Sequence, residues 1–167
     1  LKKKFNKFVI KPCNSGSSFG TVLIKTKKDH YDFLKKIPNY KNKLNNHCNL
    51  IIEKYISGKE LTVSVLKKNK KTFPIEVTEI ISKNIFFDYK AKYTIGFSKH
   101  ILPANIPRLI YKRCLKYALD IHKKLNCNVI SRSDFIYNKE EKKIYFLEIN
   151  TQPGLTPISL VPEQARY

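Results

Sequence analysis

The sequence contains no methionine, and its first residue is Leu1. A complete reading frame starts with methionine, so the expectation is a fragment of a longer protein. Cysteine is sparse: Cys13, Cys48, Cys114 and Cys127 form no Cys-x-x-Cys pair and have no histidine in ligand spacing, which argues against a zinc site. Reduced thiols in a cytoplasmic protein are the default. No apolar run approaches the length needed to cross a bilayer, no secretory segment is visible, and no membrane partner is expected. No internal repeat is present.

Acidic residues are also few, 13 against 33 lysines and arginines, for a formal net charge of +20. Such an excess invites a nucleic-acid reading. The lysines are scattered among Asn, Ile, Tyr and Phe, however, and only short runs occur, at Lys2–Lys4 and Lys67–Lys71. That mixture reads as a compositional bias, not a phosphate-tracking stripe, and no nucleic-acid partner is expected. The 42% hydrophobic and 12% aromatic content over 167 residues is enough to build a core.

Along the chain, Phe8–Lys11 and Thr21–Ile24 read as short strands around the small-residue loop Asn14–Gly20. Asp29–Lys36 reads as a short helix stopped near Pro38, and Tyr40–Asn49 as a polar loop. Leu50–Ile56 is expected to be a buried strand ending at Ser57-Gly58. Leu61–Leu66 and Phe73–Ile80 are strands joined by the Lys67–Lys71 turn. Ser82–Asn105 is expected to be irregular. Pro107 opens a helix to about Asn126, with Ile110, Cys114, Tyr117, Ala118, Ile121 and Leu125 as its apolar stripe. Val129–Tyr137 and Lys143–Ile149 form a hairpin. Sheets flanked by helices and broken by long loops give an α+β class.

The hairpin carries the most chemistry. If Asn138 pairs with Ile144, Asp134 falls opposite Glu148 and Arg132 opposite Asn150, all on one face. Two carboxylates and an amide oxygen suit Mg²⁺, and the adjacent arginine suits a transferring phosphoryl group or an oxyanion. Spacing alone leaves a solvated salt-bridge ladder equally open. The Gly16–Gly20 loop with Lys11 before it can wrap phosphate, or be a plain turn; no Gly-Lys-Ser/Thr follows, so it is not a Walker A loop. Glu53–Ile56, before Gly58 and Glu60, can hold adenine and ribose, or be an ordinary strand end. Phe86–Tyr93 can be a lid with lysines reaching phosphate, or a loop that pins its aromatics to the core.

Taken in order, these segments resemble the D-alanine–D-alanine ligases. Val9-Ile10-Lys11-Pro12 with Gly16-Ser17-Ser18-Phe19-Gly20 resembles their phosphate loop, and Ile52–Val63 their adenine hinge. Phe87-Asp88-Tyr89-Lys90-Ala91-Lys92-Tyr93 is similar to their ω-loop. Arg132-Ser133-Asp134-Phe135 and Glu148-Ile149-Asn150-Thr151-Gln152-Pro153-Gly154, continuing to Leu160, resemble their metal and substrate motifs.

The resemblance implies an ATP-grasp fold of two lobes, residues 1–52 being part of the central lobe and 53–167 the C-terminal lobe, with ATP between them. It implies that Lys11, Ser18, Glu53, Lys54, Tyr55, Ile56, Glu60 and Lys92 serve ATP. Asp134, Glu148 and Asn150 would bind two Mg²⁺ ions, with Mn²⁺ as a substitute. Arg132 and the Gly154 N–H would form an oxyanion hole, Ser17 would sit in the closing loop, and Ser159 with Leu160 and Lys92 would hold the carboxylate of the second D-alanine. Tyr93 stands where the family selects D-alanine over D-lactate. The implied reaction makes D-alanyl-D-alanine through an acylphosphate, for peptidoglycan synthesis in the cytoplasm. The alternatives are another ATP-grasp carboxylate–amine ligase or a basic nucleic-acid-binding module. Cys13-Asn14-Ser15 depart from the family's phosphate loop. The family's N-terminal domain, with its glutamate and lysine, has no counterpart here, so this stretch alone is expected to be inactive; the intact enzyme is expected to be a homodimer.

Overall fold

The computed structural model describes residues 7–13, 20–43, 49–82 and 98–167, without the side chains of 37–43. The chain separates into two units, one containing the described residues up to Tyr55 together with Ser82, the other Ile56–Ile81 with Ser98–Tyr167.

In the first unit, β1 (Phe8–Pro12) lies between β2 (Val22–Ile24) and β3 (Leu50–Lys54), both antiparallel to it. β1 alternates, with Phe8, Ile10 and Pro12 buried and Val9 and Lys11 half-buried. Phe8, Ile10 and Ile24 pack with Phe33 of α1 (Lys27–Lys43) into a small core. The helix starts earlier than expected because Thr26 and Asp29 cap it reciprocally. Thr26 Oγ1 accepts the Asp29 N–H at 3.1 Å, and the Asp29 carboxylate accepts the Lys25 and Thr26 N–H groups, each at 2.9 Å. Those bonds, the one from Lys25 foremost, hold the Asp29 carboxyl below its ordinary pKa. The helix also runs past Pro38, where a stop was expected. An interior proline removes one backbone donor and crowds the carbonyl four residues back, at about 3 kcal/mol, so the helix continues here against the local preference.

The strand expected at Leu50–Ile56 is present but shorter and not buried. It ends at Lys54, and Ile51 and Ile52 are 38% and 41% exposed. Among the described residues β3 is an edge strand with one neighbour, and an apolar run signals extended chain without telling which faces are covered.

The second unit is a five-stranded sheet in the order β6-β5-β4-β7-β8: β4 Lys59–Lys68, β5 Lys71–Ser82, β6 Ser98–Ile101, β7 Ile130–Asn138 and β8 Lys143–Asn150. β4 and β5 are joined through Asn69 and Lys70, whose φ values of 50° and 65° fit a two-residue hairpin. β6 falls inside the stretch expected to be irregular; four residues carry too little alternation to be read. The Leu102–Pro103 peptide is cis.

Leu61, Val63 and Val65 of β4, Val77 of β5 and Phe135 and Tyr137 of β7 form one sheet face, packed against α2 (Arg108–Lys124). The helix buries Ile110, Cys114, Ala118 and His122, a row spaced by four. Tyr117 and Leu125, placed in the stripe from sequence, are 40% and 58% exposed. Asn126 (φ 52°) then closes the helix, with Cys127 N–H donating to His122 O and Asn126 N–H to Lys123 O. Burial pushes the Cys114 thiol up to about 12, so it packs as an inert apolar group. The opposite face of the sheet receives α3 (Leu160–Arg166), whose Leu160, Val161 and Gln164 are buried. No helix among the described residues is long and apolar enough to cross a membrane.

His122 is 1% exposed; its Nδ1 lies 2.8 Å from Ser131 Oγ, and Nε2 makes no hydrogen bond of ordinary geometry among the described residues. Desolvation lowers its pKa below 6.5, the Lys67 charge adds to that, and the Cys127 backbone partly opposes it. The folded protein therefore binds fewer protons here than the unfolded chain. Stability should be full above about pH 6.5 and fall as the pH drops toward the folded-state value. Urea melts at pH 7 and 5.5 should show that loss in the wild type and less of it in His122→Leu; equal losses would reject the assignment.

Candidate functional site

Three strands bring the polar cluster together. The register sets Thr62 of β4 opposite Asp134 of β7, and Asp134 opposite Glu148 of β8. One pair further on, Ser64 faces Arg132 and Arg132 faces Asn150. Residues two apart share a face, so Arg132, Asp134, Glu148 and Asn150 lie on one side of the sheet. The route to this arrangement differs from the expectation. At the turn Asn138 pairs with Lys143, not Ile144, one residue out of register. A bulge between Asp134 and Phe135 leaves Leu147 unpaired and restores Asp134 to Glu148.

Arg132 holds Asp134 side-on, with Nε 3.0 Å from Oδ1 and Nη2 2.9 Å from Oδ2. The buried Thr62 donates its hydroxyl to Oδ1 at 2.6 Å. The guanidinium and carboxylate are only 12% and 18% exposed, so water screens the pair weakly. Glu148 is exposed beside it, and Glu60 is half-buried two residues before Thr62 on the same strand face. Asn150 Oδ1 accepts the Gln152 N–H at 2.9 Å, which helps turn the chain after β8. Two carboxylates and an amide oxygen make an all-oxygen donor set that fits a hard divalent cation, with the arginine adjacent to receive an anion.

After β8 the chain folds back so that Gly154 meets Ser159. A Cβ on Gly154 would lie 3.0 Å from Ser159 Oγ, which is itself 2.7 Å from Thr156 Oγ1. Ser159 N–H donates to Thr156 O at 2.9 Å, and Ser159 is the N-cap of α3, whose first residue is the buried Leu160.

In the first unit, Lys11 Nζ is 2.5 Å from Glu53 Oε2. β1 and β3 pair Val9 with Glu53 and Lys11 with Ile51, so the two charges are diagonal neighbours on the face away from the Phe8–Ile10 core. Lys54 stands across from Phe8, and Tyr55 N–H donates to Lys7 O at 3.2 Å. Tyr55 and Ile56 are half-buried. Ser17, Ser18, Lys92 and Tyr93 lie outside the described residues.

Sequence reading missed Thr62 and the ion pair of Lys59 with Glu79. Glu79 is 5% exposed, and Lys59 Nζ lies 2.9 Å from its Oε2 and 2.9 Å from Asn105 O. Thr62 was readable in principle, since Glu60, Thr62 and Ser64 alternate with Leu61, Val63 and Val65.

A helix-backed antiparallel sheet, and a second one whose polar face carries an arginine-braced carboxylate, fit the ATP-grasp fold, and the solved structures that match the chain have that fold. A family model described as D-ala D-ala ligase C-terminus matches residues 3–167. The chain is 42% identical over 165 residues to a D-alanine–D-alanine ligase of Rhizorhabdus wittichii, covering 96% of this chain and 50% of the relative. It is 45% identical over 159 residues to one from Wolbachia pipientis wMel, covering 95% and 47%. Among solved structures, D-alanyl-alanine synthetase A of Vibrio cholerae matches with a TM-score of 0.78 at 25% identity over 98% of this chain and 48% of that one. The VanG D-Ala:D-Ser ligase of Enterococcus faecalis matches at 0.72 and 31%, covering 97% and 45%. A Bacillus anthracis D-alanine–D-alanine ligase complexed with ATP matches at 0.70 and 27%, covering 99% and 48%. The chain belongs to the D-alanine–D-alanine ligase family, and it spans about half the length of the curated relatives it matches.

Proposed function

We propose that the protein to which this chain belongs joins two D-alanines into D-alanyl-D-alanine at the expense of ATP. The observation that carries this reading is the single sheet face on which Arg132 and Thr62 hold Asp134, with Glu148 and Asn150 across the next strand. The names of the relatives support the substrate, and the ATP complex of the Bacillus anthracis enzyme supports the nucleotide.

Asp134, Glu148 and Asn150 would hold Mg²⁺, which when bound neutralises phosphate charge. Lys11, Glu53, Lys54, Tyr55, Ile56 and Glu60 serve the nucleotide. The carboxylate of the first D-alanine takes the γ-phosphoryl group, giving an acylphosphate and ADP. The amine of the second then attacks the acyl carbon, and phosphate leaves. Arg132 and the Gly154 N–H stabilise the negative charge that develops at that carbon's oxygen. Ser159 and the Leu160 N–H hold the carboxylate of the second D-alanine, which orients its amine.

The test is ADP release by the intact protein with Mg-ATP, comparing D-alanine with L-alanine. Release that depends on D-alanine is the expected result. Folded, ATP-binding protein that releases none with either amino acid would overturn the substrate assignment.

A further inference from the structure

We propose that Gln164 is a positioning residue that fastens the second-substrate seat to the strand behind the metal and phosphoryl cluster. Three bonds place it. Its Oε1 accepts the Ser64 N–H at 2.9 Å, and its Nε2 donates to Thr62 O at 3.2 Å and to Thr78 Oγ1 at 2.9 Å. The β4–β5 register shifts between Val63 and Val65, and Ser64 has no partner on β5. A primary amide carries the same donor and acceptor as a peptide group, so the Gln164 side chain supplies the acceptor that β5 withholds at this bulge. The residue is 1% exposed, and each of its bonds is made where water does not compete.

What Gln164 ties together gives the arrangement its meaning. On one side it belongs to α3, whose N-cap is Ser159 and whose first residue is Leu160. On the other it binds the backbone of Thr62, whose hydroxyl donates to Asp134, the carboxylate gripped by Arg132. Hydrogen bonds on either side of Thr62, one to its carbonyl and one from its hydroxyl, therefore link the helix capped by Ser159 to Asp134 and Arg132. Two other contacts steady α3: Glu163 Oε2 lies 2.7 Å from His100 Nδ1, and Arg166 Nη2 donates to Pro157 O at 2.8 Å. Neither reaches β4. With Leu160 and Val161 also buried, α3 stays docked without Gln164 but loses the bonds that set its height over the sheet. An error of about 1 Å between amine and acyl carbon is enough to lower turnover markedly. The inference rests on the reading of Ser159 and Leu160 as the carboxylate seat.

The test uses Gln164→Met and Thr78→Val in the intact protein, with two readouts. In hydrogen exchange, Gln164→Met should speed the amides of residues 154–166 and of Ser64, which loses its acceptor, by about tenfold or more, leaving the other amides of β4 and those of β7 within about twofold. In kinetics it should raise KM for the second D-alanine by about tenfold or more, with Mg-ATP affinity within about twofold. Thr78→Val, which removes one bond of three, should give a smaller effect and none at all in the Gln164→Met background. Unchanged exchange in 154–166, or acceleration spread evenly over the whole sheet, would overturn the proposal. So would local loosening with KM and kcat within twofold in an active enzyme. If the wild type shows no D-alanine-dependent turnover, the functional reading falls, and the exchange result alone decides whether Gln164 is the tether.

Discussion

Replacing Glu148 with glutamine in the intact protein is expected to lower D-alanine-dependent ADP release by about 10²–10³-fold. Glutamine keeps the shape and one oxygen of the side chain and removes only the charge. Glu148 is exposed, on the edge strand β8, so the fold should tolerate the change and the melting temperature should move by no more than about 2 °C. Asp134→Asn would be a poorer test. Asp134 accepts two bonds from Arg132 and one from Thr62 in a mostly buried setting, and its neutralisation would destabilise as well as inactivate. A second readout separates metal handling from other roles: Mn²⁺ binding in the presence of ATP should weaken about tenfold or more in Glu148→Gln. Turnover and Mn²⁺ affinity that both stay near wild type would remove Glu148 from the metal set.

The cluster was legible because strand alternation survives ignorance of the turn. Arg132 and Asp134 share a face whatever follows, and so do Glu148 and Asn150. Their mutual pairing was reached through an assumed turn register that is wrong by one, which the unpaired Leu147 cancels. A bulge has no dependable sequence mark, so such agreement cannot be counted on. The start of α1 was readable and overlooked, since Thr26-Lys27-Lys28-Asp29 is a capping spacing. β6 and the exposure of Ile51 and Ile52 were not readable, because both depend on which neighbours the sheet supplies. Gln164 belongs to the same group. Nothing local distinguishes it from a surface glutamine; its burial follows from a bulge a hundred residues earlier, at Ser64.

Gly58→Ala should be strongly destabilising for so small a substitution, costing about 3 kcal/mol and lowering the melting temperature by about 6–12 °C. A Cβ there would lie 2.3 Å from Tyr137 O, 2.7 Å from Ile136 Cγ2 and 2.8 Å from Tyr137 C. Two of those atoms are backbone, and β7 cannot move aside because β4 and β8 hold it on both edges. Alanine would reduce the freedom of the unfolded chain, which favours folding by about 0.4–1 kcal/mol, but the overlap outweighs that. Gly154→Ala is the internal comparison. Its nearest obstacle is the end of the exposed part of a short side chain, Ser159 Oγ at 3.0 Å, which can rotate away from Thr156. Gly154→Ala should therefore cost less than about 1 kcal/mol of stability while impairing turnover, because it disturbs the Gly154–Ser159 contact at the proposed substrate seat. Thermal melts of the two variants side by side decide the point. A Gly58→Ala protein that melts within 2 °C of the wild type would show that the entry to β4 can shift away from Tyr137, and that this glycine is not what sets the strand's approach.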